Sequence, residues 1–346
     1  MTEPYPLIVV LGPTASGKSA LAITLARTLH GEVLACDSTQ VYRYFDIGTG
    51  KVLTASQQGI PHHLIDLLEP DEVFTAGDYQ RRARAVLTEV HARGRLPIVT
   101  AGTGLYLRAL LEGLSPLPPR APVLRARLHA CAAERGVEYL HRMLARIDPN
   151  SASEIGLRDT PKLVRALELC FQTRRSRREL FAQGRARLED YAVNKIGLLP
   201  PRVQLYARIE ERVEAMLRAG WLEETRQLVA RFRRLTTARP FQFLGYRQLC
   251  AQLAGELTLK EAIKQIKHET RQYAKRQITW FRKEPAVSWF AGFGDDRETQ
   301  AAIIAYLRNQ RPTLPGSPHR PGSCLPPPAP AGRASRTRTI GKHPKN

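Results

Sequence analysis

Gly12-Pro13-Thr14-Ala15-Ser16-Gly17-Lys18-Ser19 is the stretch on which the fold turns. It matches the full Gly-x4-Gly-Lys-Ser pattern of a phosphate-binding loop. The glycines let backbone N–H groups wrap a phosphate. Lys18 supplies a point charge, and Ser19 a hydroxyl for Mg2+ or for a phosphate oxygen. The context agrees with the motif. Leu7-Ile8-Val9-Val10-Leu11 is a short apolar run, and Ser19 to Arg27 reads as a helix, so the order is strand, loop, helix. The loop reports phosphate binding and leaves the phosphate compound open.

Outward from the loop, the segment 32–36 (Glu-Val-Leu-Ala-Cys) reads as a second strand ending at Asp37. Phe74 to Ala92 reads as an amphipathic helix, and Leu96 to Thr100 as a third strand running into Ala101-Gly102-Thr103-Gly104. Strands alternating with helices imply a parallel sheet with crossover connections. The expected fold class is therefore α/β: a P-loop NTPase-like parallel sheet flanked by helices. Ser115 to Pro122 is a proline-rich break, after which the chain is mostly helical to about Gln183. Lys195 to Leu199 reads as a returning strand, which makes 123–194 a helical insertion. The core then comprises 1–122 and a largely helical second part, 195–310. Helices are expected over 203–220, 222–232 and 259–280, the last opened by a Thr258/Glu261 capping box, with a final strand at 287–290. The segment 311–346 is basic and rich in Pro, Gly and Ser. It lacks the apolar content to offset ordering entropy and is expected to be disordered.

The formal net charge is +21, from 53 Lys and Arg against 32 Asp and Glu. The segment 311–346 holds seven of the cations and no acid, so +14 remains on the rest of the chain. Such an excess favours a polyanionic partner, because each neutralised phosphate releases counterions. No apolar stretch approaches the roughly 20 residues of a membrane span, and no signal-peptide pattern opens the chain, so a cytoplasmic location without a membrane is expected. The five cysteines, Cys36, Cys131, Cys170, Cys250 and Cys324, form no CxxC pair, which argues against a zinc finger.

Asp37 stands where a strand ends, the edge that lines the ligand crevice of a parallel sheet. Its carboxylate can serve as a Mg2+ ligand, a general base or a helix cap. Thr103, at the same edge, can donate to a phosphate oxygen or simply close a βα turn. No apolar run ending in Asp-Glu follows downstream. That tells against a motor ATPase and leaves small-molecule or nucleoside kinases and other phosphate-handling transferases. Two segments read as basic helices. One carries Lys162, Arg165, Arg174, Arg175, Arg177 and Arg178. The other runs from Lys264 to Arg282, with Arg271, Lys275 and Arg282 on one face and Tyr273, Trp280 and Phe281 interleaved. Cations with aromatics suit a nucleic-acid backbone and unstacked bases.

Taken together, these stretches resemble the tRNA dimethylallyltransferase family, the bacterial tRNA isopentenyltransferases. The resemblance rests on 12–19, Asp-Ser-x-Gln-x-Tyr (37–42), Asp-Ile-Gly-Thr-Gly-Lys (46–51), Pro-His-His-Leu-Ile-Asp (61–66) and Ala-Gly-Thr-Gly-Leu-Tyr (101–106). It continues through Glu-Gly-Leu-Ser-Pro-Leu-Pro (112–118), Arg-Ala-Leu-Glu (165–168), Arg-Ile-Glu-x-Arg-Val-x-x-Met (208–216), Gly-Tyr-Arg-Gln (245–248) and the basic helix over 270–282. It covers roughly residues 5–292. It implies transfer of a dimethylallyl group from dimethylallyl diphosphate to N6 of the adenine 3′ of the anticodon, in tRNAs reading codons that begin with U. It recasts the loop, Gly12 to Ser19, as a cradle for a departing diphosphate with Mg2+ on Ser19, joined by Thr103 and Arg212, and makes Asp37 the general base. It also implies that tRNA meets Asp37, Ser38, Thr39, Gln40, Thr103, Arg125, Pro161, Lys162, Leu163, Val164, Arg165, Gln242, Gly245, Tyr246, Arg247, Lys275, Arg276, Gln277, Trp280 and Arg282. On this reading the insertion 123–194 clamps the anticodon stem-loop, the enzyme is monomeric, and no obligate protein partner is expected.

Overall fold

A strand built from Leu7 to Leu11, apolar at every position and wholly buried, has to sit inside a sheet covered on both faces. The computed structural model, which describes residues 3–182 and 184–310, places it there. The chain runs β1 (Tyr5–Leu11), α1 (Lys18–Leu29), β2 (Gly31–Cys36), β3 (His62–His63), α2 (Ala76–Ala92), β4 (Leu96–Ala101) and α3 (Gly104–Leu111). Five helices follow: α4 (Pro122–Arg135), α5 (Val137–Ile147), α6 (Pro149–Glu154), α7 (Thr160–Thr173) and α8 (Arg177–Phe181). Then come β5 (Tyr191–Leu198), α9 (Arg202–Arg218), α10 (Trp221–Arg231), α11 (Tyr246–Leu253), α12 (Leu259–Phe281), β6 (Val287–Phe290) and α13 (Arg297–Asn309).

The six strands form one sheet in the order β3-β2-β4-β1-β5-β6, and every pairing is parallel. Side chains alternate across it with period two. Leu7, Val9 and Leu11 join the core that α2, α3, α10, α11 and α12 cover. Ile8 and Val10 face the other way, against α1 and against Ile303 and Leu307 of α13. The insertion helices hold a smaller core of their own, centred on Leu140, Leu144, Leu163, Val164 and Leu167.

Several boundaries differ from the sequence expectation. Strand β5 begins at Tyr191 rather than Lys195, because Tyr5, Pro6 and Leu7 extend its pairing with β1, so the sheet resumes inside the 123–194 segment. The basic run 162–178 is two helices, not one. Arg174 takes a left-handed conformation (φ 54°) that ends α7, and Ser176 with Glu179 forms a capping box that starts α8. Helices α3, α11 and α13 were not anticipated. The capping box of Thr258 and Glu261 opens α12 as expected. The proposed disordered segment 311–346 lies outside the described residues.

Candidate active site

Parallel strands put all their C-terminal ends on one edge. At that edge β1 delivers the phosphate loop, β2 delivers Asp37, and β4 delivers Gly102 and Thr103. The loop leaves β1 through Gly12 at φ 154°, where a Cβ would sit 2.7 Å from the Leu198 carbonyl of β5; only glycine fits. Ala15 adopts φ 63°, a strained conformation for a residue with a Cβ, held by packing against Leu205, Ile209 and Ala274. Lys18 Nζ donates to the Gly12 and Pro13 carbonyls at 3.0 and 2.8 Å. Burial pulls the Lys18 amine down to about 8; Asp37 opposes that shift and Arg212 adds to it. Ser16 Oγ is buried in the loop with no hydrogen-bond partner among the described residues.

Asp37 caps a turn rather than a helix. Its Oδ1 accepts from Thr39 N at 2.8 Å and Thr39 Oγ1 at 2.6 Å. Its Oδ2 overlies Gly102, where a Cβ would come within 2.4 Å of it. Thr103 Oγ1 accepts from Ser38 N at 3.0 Å and donates to Ser38 Oγ at 3.3 Å, so it ties the β4 edge to the β2 edge.

Thr14 to Ser19, Asp37, Ser38, Thr39 and Gly102 line one cavity of about 670 Å3; Thr103, spent on Ser38, is not part of its lining. Helix α9 contributes Arg212, whose guanidinium lies against Gly50; burial, and then Arg208, lower its proton affinity, while Asp37 raises it. Helix α12 contributes Tyr273 and Gln277. Val213, Met216, Trp221 and Phe243 give one part of the wall an apolar character. The 46–51 loop is pinned from below. Lys51 Nζ donates to Asp46 Oδ1, Asp66 Oδ1 and the Tyr42 carbonyl, and Glu224 Oε2 accepts from Asp46 N and Ile47 N.

The residues expected to face RNA divide into three groups. Ser38, Thr39, Gln40 and Gln242 line the cavity. Pro161, Lys162, Arg247, Lys275, Arg276, Trp280 and Arg282 are exposed. Others are turned inward. Leu163 and Val164 are core residues of the insertion, because α7 packs that face on α5. Tyr246 is fully buried; its hydroxyl donates to Glu224 Oε1 at 2.5 Å and accepts from Gly48 N at 3.1 Å. Gly245 is buried against Trp221. Gln277 is 6% exposed and spends its amide inside the protein. For the side chains of Leu163, Val164 and Tyr246, burial overrides the expectation of direct RNA contact, whereas Gln277 lines the cavity. Arg125 and Arg165 both pair with buried Glu168, at 3.1 and 2.7 Å, and Arg271 pairs with Glu210.

One part of the site escaped the sequence reading. The 292–296 loop after β6 folds over the phosphate loop. Gly294 N donates to the Ser16 carbonyl at 2.8 Å. Arg208 of α9 makes a bidentate pair with Asp295 and stacks its guanidinium 4.6 Å from the Phe293 ring centroid. Two closely spaced glycines beside paired aspartates, 292–296, were the available signal.

The chain matches the family model described as IPP transferase over residues 40–284. A tRNA dimethylallyltransferase of Solibacter usitatus is 50% identical over 308 residues, 88% of this chain and 100% of the relative. Another, of Myxococcus xanthus, is 46% identical over 82% of this chain and 92% of its own length. Among solved structures, the full-length tRNA isopentenylpyrophosphate transferase of Bacillus halodurans superposes with TM-score 0.65 at 37% identity, covering 88% of this chain and 96% of that one. A eukaryotic dimethylallyltransferase captured acting on tRNA superposes with TM-score 0.76 at 26% identity, covering 89% and 81%.

Proposed function

The chain belongs to the IPP transferase family, and we infer from this and from its cavity that it transfers a dimethylallyl group from dimethylallyl diphosphate to tRNA. The acceptor is N6 of the adenine 3′ of the anticodon in tRNAs reading codons that begin with U. The observation that carries the reading is the convergence of three things in one cavity: the phosphate loop with Lys18, the carboxylate of Asp37, and Arg212, under a helix with an exposed basic face.

The N6 amine attacks C1 of the allyl group while the C1–O bond breaks. The electron pair leaves with diphosphate, and the amine proton passes to Asp37. Loop N–H groups, Lys18 and Arg212 stabilise charge growing on the departing oxygens. Thr39 holds Asp37 through Oδ1 and leaves Oδ2 for the amine. Thr103 keeps the Asp37 turn and the β4 edge in register. The donor residues fit Mg2+. No cluster of three or more His, Cys, Asp or Glu forms a protein cage among the described residues, whereas Ser19 offers a hydroxyl beside a phosphate cradle, and Mg2+ commonly takes few protein ligands plus substrate phosphates. Mg2+ on Ser19 would supply charge neutralisation for diphosphate.

On the same proposal, the insertion 123–194 grips the anticodon stem-loop through Pro161 and Lys162, while Gln242, Arg247, Lys275, Arg276, Trp280 and Arg282 engage RNA from the second core part, 195–310. The target base reaches Asp37 by leaving its stack. Four free cysteines and the absence of a membrane-spanning helix among the described residues accompany a proposed cytoplasmic, monomeric enzyme. The test is incubation with unmodified tRNA, Mg2+ and allyl-labelled donor, in parallel with labelled ATP. Allyl label entering tRNA supports the reading; phosphate transfer from ATP to a small molecule overturns it in favour of a kinase.

A further inference from the structure

Gln277 is an uncharged, buried residue near the C-terminal end of a basic helix. It lies one turn beyond Tyr273, on the face of α12 that also carries Ala274 and Phe281 into the core. Its Oε1 accepts from Thr14 N at 2.8 Å, and its Nε2 donates to the Gly102 carbonyl at 2.8 Å. Tyr273 OH donates to the same carbonyl at 3.3 Å. Thr14 N can only donate and Gly102 O can only accept, so the two partners fix the amide's orientation and call for a group with both capacities at this length. A glutamate would turn an oxygen on the Gly102 carbonyl. A leucine would strand Thr14 N and leave the Gly102 carbonyl only the longer bond from Tyr273.

We propose that Gln277 is a positioning residue: a strut that fixes the phosphate loop relative to the β4 edge, and so holds the diphosphate cradle in register with Thr103 and Asp37. Both ends of the strut bear on reacting groups. Thr14 lies in the loop that would wrap the leaving diphosphate. Gly102 sits under Asp37 Oδ2 and directly precedes Thr103. On the opposite face of the same helix, Lys275 and Arg276 are exposed. The amide thus joins the helix that carries exposed cations to the loop that holds the donor. The inference rests on the transferase reading.

The experiment measures binding of inorganic diphosphate with Mg2+ to the full chain by calorimetry, binding of unmodified tRNA, and steady-state KM for each substrate. Wild-type protein that binds no diphosphate would sink the transferase reading itself. Given wild-type binding, Gln277→Leu should weaken diphosphate binding and raise the donor KM about tenfold, with tRNA affinity within twofold. Gln277→Glu keeps the size and one bond. Its deficit relative to wild type should shrink as pH falls toward 5, when a protonated carboxyl can again donate to Gly102 O. Unchanged diphosphate binding in both variants overturns the proposal, as does a tenfold loss of tRNA affinity with the donor KM unmoved. If Gln277→Leu fails to fold, Gln277→Glu decides by the same pH dependence, and a deficit constant with pH counts against the strut.

Discussion

Raising the pH from 7 to 9 should weaken donor binding about tenfold through Lys18 alone. Burial favours the neutral amine and pulls Lys18 from 10.5 to about 8. At that value about nine-tenths of the molecules carry the charge at pH 7 and about one-tenth at pH 9. Only the charged form attracts diphosphate, so affinity falls with rising pH, approaching one decade per pH unit. An unperturbed lysine would stay more than about nine-tenths charged over the same range. Bound diphosphate then restores the proton, since an adjacent anion favours the ammonium. The loss should therefore fall on kcat/KM, which reports the free enzyme, while kcat at saturating donor stays nearly level. The assay is kcat/KM for dimethylallyl diphosphate at saturating tRNA from pH 6.5 to 9.5, beside Lys18→Arg. The arginine variant starts lower, because a guanidinium is shaped differently from the ammonium the loop carbonyls hold, but its profile should be flat. A wild-type kcat/KM that stays flat to pH 9.5, or a decline shared by Lys18→Arg, refutes the burial argument.

Asp37→Ala should reduce single-turnover rate by about 10^2 to 10^4 and leave tRNA affinity within threefold; collapse of tRNA binding at a normal rate per bound complex would remove the general-base role. Lys162→Ala should lower the salt slope of tRNA binding by at most about one unit, because Lys162 also pairs with Asp159, with the fold intact, whereas Leu163→Ala, one residue on, should cost about 2–5 kcal/mol of insertion stability; equal salt slopes for the two variants in binding titrations would contradict the inward and outward assignment. Tyr246→Phe should cost about 1–3 kcal/mol in urea unfolding by stranding Gly48 N and Glu224. A stable Tyr246→Phe protein with weakened tRNA binding would show that the buried placement misleads.

The loop and its strand were legible because both obey local rules. Five apolar residues in a row, two glycines and Lys-Ser need no distant partner to be read. Asp37 was legible as a strand-end carboxylate, yet three roles stayed open until Thr39 and Gly102 were seen around it. The inward residues of the RNA-facing stretches were not legible. Tyr246 and Gln277 lie in polar, motif-rich runs, and burial is decided by contacts such as Glu224, 22 positions from Tyr246, and Thr14, 263 positions from Gln277. The split of α7 from α8 turned on one left-handed residue, Arg174, which propensity does not announce. Helix α13 and the 292–296 loop lay beyond the stretches that carry motifs, so the packing of the one on α1 and the return of the other to the phosphate loop were visible only in three dimensions.

Burial also sorts the cations by substrate. Lys18 and Arg212 are sheltered in the cavity, and burial heads the causes that disfavour their charged forms. Their attraction for an anion acts at short range in a low dielectric and is weakly screened by salt. Lys275, Arg276 and Arg282 stand exposed, and no carboxylate lies within ion-pair distance of them among the described residues, whereas Arg247, Lys267 and Arg271 nearby are each neutralised by a glutamate. Exposed charges act over a Debye length of about 8–10 Å and suit a long polyanion that arrives along the surface. A compact diphosphate gains most from the inner set, where each contact is desolvated. On the proposed function, the RNA backbone gains from the outer set, with its unstacked base reaching Asp37. On that same proposal, one basic chain holds two anionic substrates without their competing for the same cations.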